Sequence, residues 1–159
     1  MVITKTIGTD MTILNETKRV HEVLGEIRFD NGVGDSKIGT SDRNPFWLAR
    51  PFGWDSDNIE ILISGDLFNP SLDSLDRAVQ IFRHLDKVEK EGKDLLRPII
   101  MKATSQESNA LHYEAALLWI DCQERNSMVV FNCRELPYIK WNLTLSENNE
   151  IIDFQETNW

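Results

Sequence analysis

With only two cysteines in 159 residues, the chain cannot carry a disulfide framework. Cys122 and Cys133 fall in consecutive predicted strands. A hairpin about Gln123–Ser127 sets Cys122 opposite Met128, and Cys133 then lies ~16 Å further along at the rise of a strand. A disulfide spans ~7 Å at most, so both thiols read as reduced, which suits a cytosolic compartment. Histidine is equally scarce: none of His21, His84 and His112 has a second His or Cys at ligand spacing, and no metal or cofactor is expected. No window approaches the ~18 apolar residues of a membrane span. The first residues, Met1 to Gly8, lack the apolar run and small-residue cleavage site of a secretory signal, so the Asn15 and Asn142 sequons carry no weight.

Positive charge is the other shortage. Seventeen Lys and Arg against 26 Asp and Glu leave a net charge of −9, which excludes a basic nucleic-acid binder. At 41% hydrophobic and 27% charged the composition is that of an ordinary globular protein. Neither an internal repeat nor a low-complexity stretch is present, and one domain over residues 1–159 is expected.

The acidic excess is segmental. Pro51 to Asp76 holds six acids and no Lys or Arg, and Ala103 to Glu124 and Trp141 to Trp159 hold four acids each, again with no Lys or Arg. Brought together, these stretches would form one negative face able to steer a basic partner.

Periodicity places strands at Val23–Phe29, Asn58–Ser64, Tyr113–Cys122, Met128–Cys133, Tyr138–Leu145 and Glu150–Gln155, with a short one at Ser36–Thr40. In Tyr138–Leu145, Ile139, Trp141, Leu143 and Leu145 point inward. Asn69 as N-cap and Pro70 in the first turn start a helix whose stripe is Leu72, Leu75, Val79, Phe82 and Leu85, with Gly92 as its stop. Pro98 forbids an unbroken helix over Lys93–Ala103, so a second, shorter helix restarts there. The expected fold is α+β: an antiparallel β-sheet of about six or seven strands with one long and one shorter helix packed on a face.

No catalytic motif is found. Gly32, Gly34 and Gly39 lack the spacing of a phosphate loop and read as turns. His112 sits in a base-free stretch where acids would raise its affinity for a proton, but no nucleophile pairs with it. The most unusual segment is Pro45–Trp54, with Phe46, Trp47, Phe52 and Trp54 beside Arg43 and Arg50. Exposed aromatics next to charge are how interface anchors look. Phe52 and Trp54 read as core plugs beside Ile59, and Trp47 as a possible anchor.

From Trp54 to Ile100 the chain runs aromatic, acidic turn, strand, acidic turn, helix. Ile59-Glu-Ile-Leu-Ile-Ser64 leads into Ser71-Leu-Asp-Ser-Leu-Asp-Arg-Ala78 and Leu85-Asp-Lys-Val-Glu-Lys90. Together with the later strand Tyr138-Ile-Lys-Trp141, this layout resembles small acidic α+β bacterial domains of the toxin-immunity type, including those of contact-dependent inhibition. The resemblance implies a cytosolic inhibitor that binds a cognate basic toxin, often a nuclease, through acidic and aromatic residues. On the charge pattern the contacts would be Trp47, Asp55, Asp57, Glu60, Asp66, Glu107 and Glu114. The competing expectations are a small hydrolase or metal-dependent enzyme built on clustered carboxylates and His112, and a homo-oligomeric interaction domain.

Overall fold

The structure, a computed structural model, describes residues 5–7, 11–15, 17–30, 46–55, 58–107, 111–121 and 126–158. Among the described residues, ten strands and two helices follow in chain order. The strands before the helices are β1 (Lys5–Ile7), β2 (Met11–Asn15), β3 (Lys18–His21), β4 (Gly25–Asp30), β5 (Phe46–Ala49) and β6 (Glu60–Ser64). Then come α1 (Leu72–Arg83), α2 (Leu85–Thr104), β7 (Tyr113–Asp121), β8 (Asn126–Cys133), β9 (Leu136–Leu145) and β10 (Ile151–Asn158). The strands form one sheet in sequence order, β1 to β10.

Every neighbouring pair is antiparallel except β6 and β7, which run parallel, with Glu60 opposite Leu117 and Ile63 opposite Ile120. Parallel neighbours need a crossover, and the helix pair supplies it. The fold is therefore α+β as expected, but with more than the expected six or seven strands. The strands that periodicity missed are β1, β2 and β3, which are three to five residues long, and β5, within the aromatic segment for which the spacing predicts no element. The anticipated strand at Ser36–Thr40 and the glycines Gly32, Gly34 and Gly39 lie outside the described residues, as do Cys122 and Trp159. In the β7–β8 pair Met128 is opposite Trp119, not the expected Cys122, because the strands are in register with Asp121 opposite Asn126.

The helices divide differently from the expectation. Ser71, not Asn69, caps α1: its backbone is extended and its hydroxyl accepts from the Ser74 N–H at 3.4 Å. The break falls at His84, and α2 then runs through both Gly92 and Pro98. Pro98 and Asp94, whose carbonyl Pro98 cannot bond, are both exposed residues on α2. Gly92 is not a stop. It is buried against the sheet, where a Cβ would come within 2.5 Å of the Phe131 ring and 3.1 Å of Leu143. Among the described residues no helix is long and apolar enough to cross a membrane.

Alternation gives the sheet two apolar faces. The helices cover one, where Leu75, Ala78, Ile81, Val88, Leu96 and Ile100 pack on Ile61, Ile63, Leu118, Val129, Phe131, Trp141 and Leu143. The inward set expected for β9 is the one observed, with Ile139 at its half-buried margin. The other face holds a smaller cluster of Phe46, Leu48, Leu62, Leu117 and Val130 under Trp54 and Trp119.

Candidate functional site

The expected contact residues separate into distinct groups. Trp47 is 0% exposed, so it is not the surface anchor that its aromatic segment suggested. It lies on the helix-covered face of β5, edge-on to Phe29 and beneath the Arg19 guanidinium at 4.8 Å. Glu60 is also buried and ion-paired with Arg50 at 2.7 Å, which takes it away from any partner. Asp55, Asp66, Glu107 and Glu114 are exposed, and Asp57 lies outside the described residues. Phe52, expected in the core, is exposed, with its ring 5.7 Å from Phe82. Trp54 is half-buried under Arg28, 3.7 Å above its ring, and Arg50.

The acids of these stretches are divided between the two ends of the sheet. Because β6 and β7 are parallel, Asp55 and Glu114 fall at one end of the sheet, with Glu107 in the segment leading into β7. Asp66 and Asp73 follow β6 and lie at the opposite end. Glu147 and Glu150 join them there, since Leu145 pairs with Ser127 and Ser127 with Ile120.

At that second end, Trp47 and Asp66 take a role the sequence did not suggest. Gly65 to Pro70 forms the turn between β6 and α1, closed by an isolated bridge between Gly65 and Pro70 and by the Asp66 N–H donating to the Asn69 carbonyl at 3.0 Å. The Asp66 carboxylate accepts from the N–H groups of Phe68 at 2.7 Å and Asn69 at 2.8 Å, and these two donors hold it below the usual carboxylate range. The Trp47 indole N–H donates to the Asp66 carbonyl at 3.0 Å. Arg19 reaches across from β3 to donate to the Phe68 carbonyl and, at 3.3 Å, to the Asn69 side chain. A Cβ at Gly65 would meet the Asn69 carbonyl, Pro70 and Trp47, so only glycine fits under the turn. The result is a fixed loop whose two tip residues, Leu67 and Phe68, are 62% and 73% exposed. The signal in the sequence was the pair itself, an apolar Leu-Phe inside an acidic turn.

The first end carries a second constellation. His112 Nδ1 lies 2.8 Å from Glu135, which also accepts from the His112 backbone N–H at 3.1 Å and from the Cys133 thiol at 3.2 Å. The His112 ring, then its N–H, hold Glu135 down at about 2, and burial keeps the Cys133 thiol protonated. The acid beside His112 is thus Glu135 of the β8–β9 turn and not its sequence neighbour Glu114. A protonated thiol that donates to a carboxylate is not an activated nucleophile. Among the described residues no group of three or more His, Cys, Asp or Glu side chains is placed to hold a metal ion.

No family model, no curated protein and no solved structure matches the chain.

Proposed function

We propose that this chain is a binding protein of the inhibitor or immunity type, which engages a basic partner protein, such as a toxin domain, through the β6–α1 turn. The observation that carries this reading is the fixed loop with Leu67 and Phe68 exposed at its tip. A monomer gains nothing by holding two large apolar side chains in water. A binding surface gains a pre-organised anchor, because the entropy of ordering the loop is already met before association. Asp66, Asp73, Glu147 and Glu150 lie at the same end of the sheet, which favours a basic rim on the partner and fast association at low salt. Asp55, Glu107 and Glu114 are then remote from the main contact.

The test is a capture experiment with two baits, the wild-type chain and the double variant Leu67→Ser/Phe68→Ser, followed by a co-expression assay of the captured protein's toxicity. Burying one such side chain contributes ~2 kcal/mol, so each substitution should weaken binding ~30-fold. A basic protein held by the wild type, lost by the variant and neutralised on co-expression supports the reading. A partner retained equally by both baits overturns it.

A second reading is favoured by β10. Among the described residues it pairs only with β9 and exposes Ile152 and Phe154, which suits pairing with a second copy across a two-fold axis. Light scattering on Ile152→Lys against wild type separates the two readings.

A further inference from the structure

The end of the sheet that bears His112 also opens into a cavity of about 530 Å³ between α2, the start of β7, the end of β8 and the start of β9. That is within the range of small-molecule sites, roughly 300–1,000 Å³. Its charge is the reverse of the chain's. Lys93, Arg134 and Lys140 line it with His112, against the single carboxylate of Glu114, in a protein of net charge −9. Glu135, the other nearby acid, is occupied by His112 and the Cys133 thiol. Glu89 pairs with the Lys93 ammonium at 3.8 Å while accepting from the Ala115 N–H, so part of the Lys93 charge is already balanced.

The remaining wall is Leu111, Tyr113 and Pro137 together with Asn132 and Cys133. Tyr113 is held by its hydroxyl, which donates to the Lys93 carbonyl at 3.3 Å and also contacts the Arg97 guanidinium. Three basic residues from three different elements, α2, the β8–β9 turn and β9, line one concavity together with Tyr113.

We propose that this cavity binds a small organic anion, with a phosphoryl or carboxylate head set among Lys93, Arg134 and Lys140 and a planar apolar body against Tyr113 and Pro137. Arg134 offers a guanidinium fork that matches either head, and the two ammonium groups add charge without demanding one geometry. The site lies at the opposite end of the sheet from the Leu67–Phe68 turn and does not rest on the partner-binding reading.

Isothermal titration of the full chain at constant ionic strength tests it, with phenyl phosphate and benzoate as the two anions and benzyl alcohol as the neutral control. Saturable one-to-one binding of at least one anion and none of the alcohol is expected, and which anion binds more tightly identifies the head group. Arg134→Ala and Lys140→Ala should each weaken that binding about ten-fold or more. Lys87→Ala, which removes an exposed α2 lysine paired with Glu91, should leave it unchanged. Ring-proton NMR signals of Tyr113 and His112 in the wild-type chain should move during the titration, a readout that does not depend on any variant folding. No saturable binding of either anion, equal binding of the alcohol, unchanged affinity in both variants, or static Tyr113 and His112 signals would each overturn the proposal.

Discussion

Replacing Gly92 by alanine puts two effects of opposite sign against each other, and the structure decides the sign. Gly92 lies inside α2, where alanine gains about 1 kcal/mol in helix propensity over glycine. The new methyl would sit 2.5 and 2.8 Å from two atoms of the Phe131 ring and 3.1 Å from a Leu143 methyl. Ordinary carbon contacts lie at ~3.5–4.0 Å, so helix and sheet must separate by about 1 Å or the ring must turn. The ring has little room to turn. Phe131 is fully buried on β8, opposite the equally buried Trp141 of β9. Overpacking of this kind costs ~1–3 kcal/mol, and with two buried side chains displaced the upper part of that range applies.

The net expectation is a loss of ~1–2 kcal/mol, read as a lower urea midpoint with an unchanged slope and as a fall in Tm of about 2–8 °C. Trimming the ring with Phe131→Leu supplies the internal control. In that background Gly92→Ala should cost less or stabilise, giving a coupling energy of about 1 kcal/mol or more in a double-mutant cycle. A Gly92→Ala protein as stable as wild type, or more so, would refute the claim that close helix–sheet packing selects glycine at this position.

Arg77 joins α1 to the far end of the sheet, donating to Ser127 at 3.1 Å, to Asn149 at 2.7 Å and to the carbonyls of Glu147 and Ser146. Arg77→Ala should cost ~2–4 kcal/mol and raise amide exchange in the β9–β10 turn, and Arg77→Lys should recover only part of the loss because it lacks the fork. Arg50→Ala should cost ~3–5 kcal/mol by stranding the buried Glu60 carboxylate, whereas Arg50→Met combined with Glu60→Leu should be far milder in urea melts. Glu135 is held at about 2 in the fold against an ordinary 4.5, so its contribution to stability is complete above 4.5 and is lost as pH falls through about 2. Glu135→Gln should therefore flatten the acid dependence of the urea midpoint across that window. Leu67→Ser/Phe68→Ser should leave thermal stability within ~0.5 kcal/mol of wild type, because exposed side chains contribute little to folding.

What the sequence made legible was local. The alternation of β9 and the apolar run of β7 are period signals, and each appears at its expected place within a residue or two. The stripe of α1 is shifted, since Leu72 is exposed, Leu75, Ala78 and Ile81 are the buried apolar residues, and Leu85 opens α2. The misses are positions where tertiary contacts overrode a local rule. Gly92 reads as a stop unless one knows that Phe131 stands 2.5 Å from where its side chain would be. Pro98 reads as a break unless one knows that the carbonyl it orphans belongs to the exposed Asp94. Phe46 to Ala49 carries no alternation because both faces of β5 are buried, Trp47 and Ala49 under the helices and Phe46 and Leu48 in the opposite cluster.

The site was less legible for a single topological reason. Which acids share an end depends on the one parallel pairing, β6 with β7, and that pairing follows from the helical crossover rather than from any residue in either strand. Had those strands run antiparallel, Asp66 and Glu114 would share an end. Their parallel run separates Asp66, Leu67 and Phe68 from Glu114, His112 and Arg134, so one end of the sheet is acidic with an apolar tip and the other opens into a basic cavity. In sequence Trp47 reads as an aromatic that touches a partner; it is buried, and it instead donates from the core to the Asp66 carbonyl of the turn that exposes Leu67 and Phe68. Trp47→Phe deletes that donor and, because phenyl is smaller than indole, also leaves space in the core, so it should lower global stability by ~1–3 kcal/mol, loosen the turn in amide exchange and weaken binding of the proposed partner.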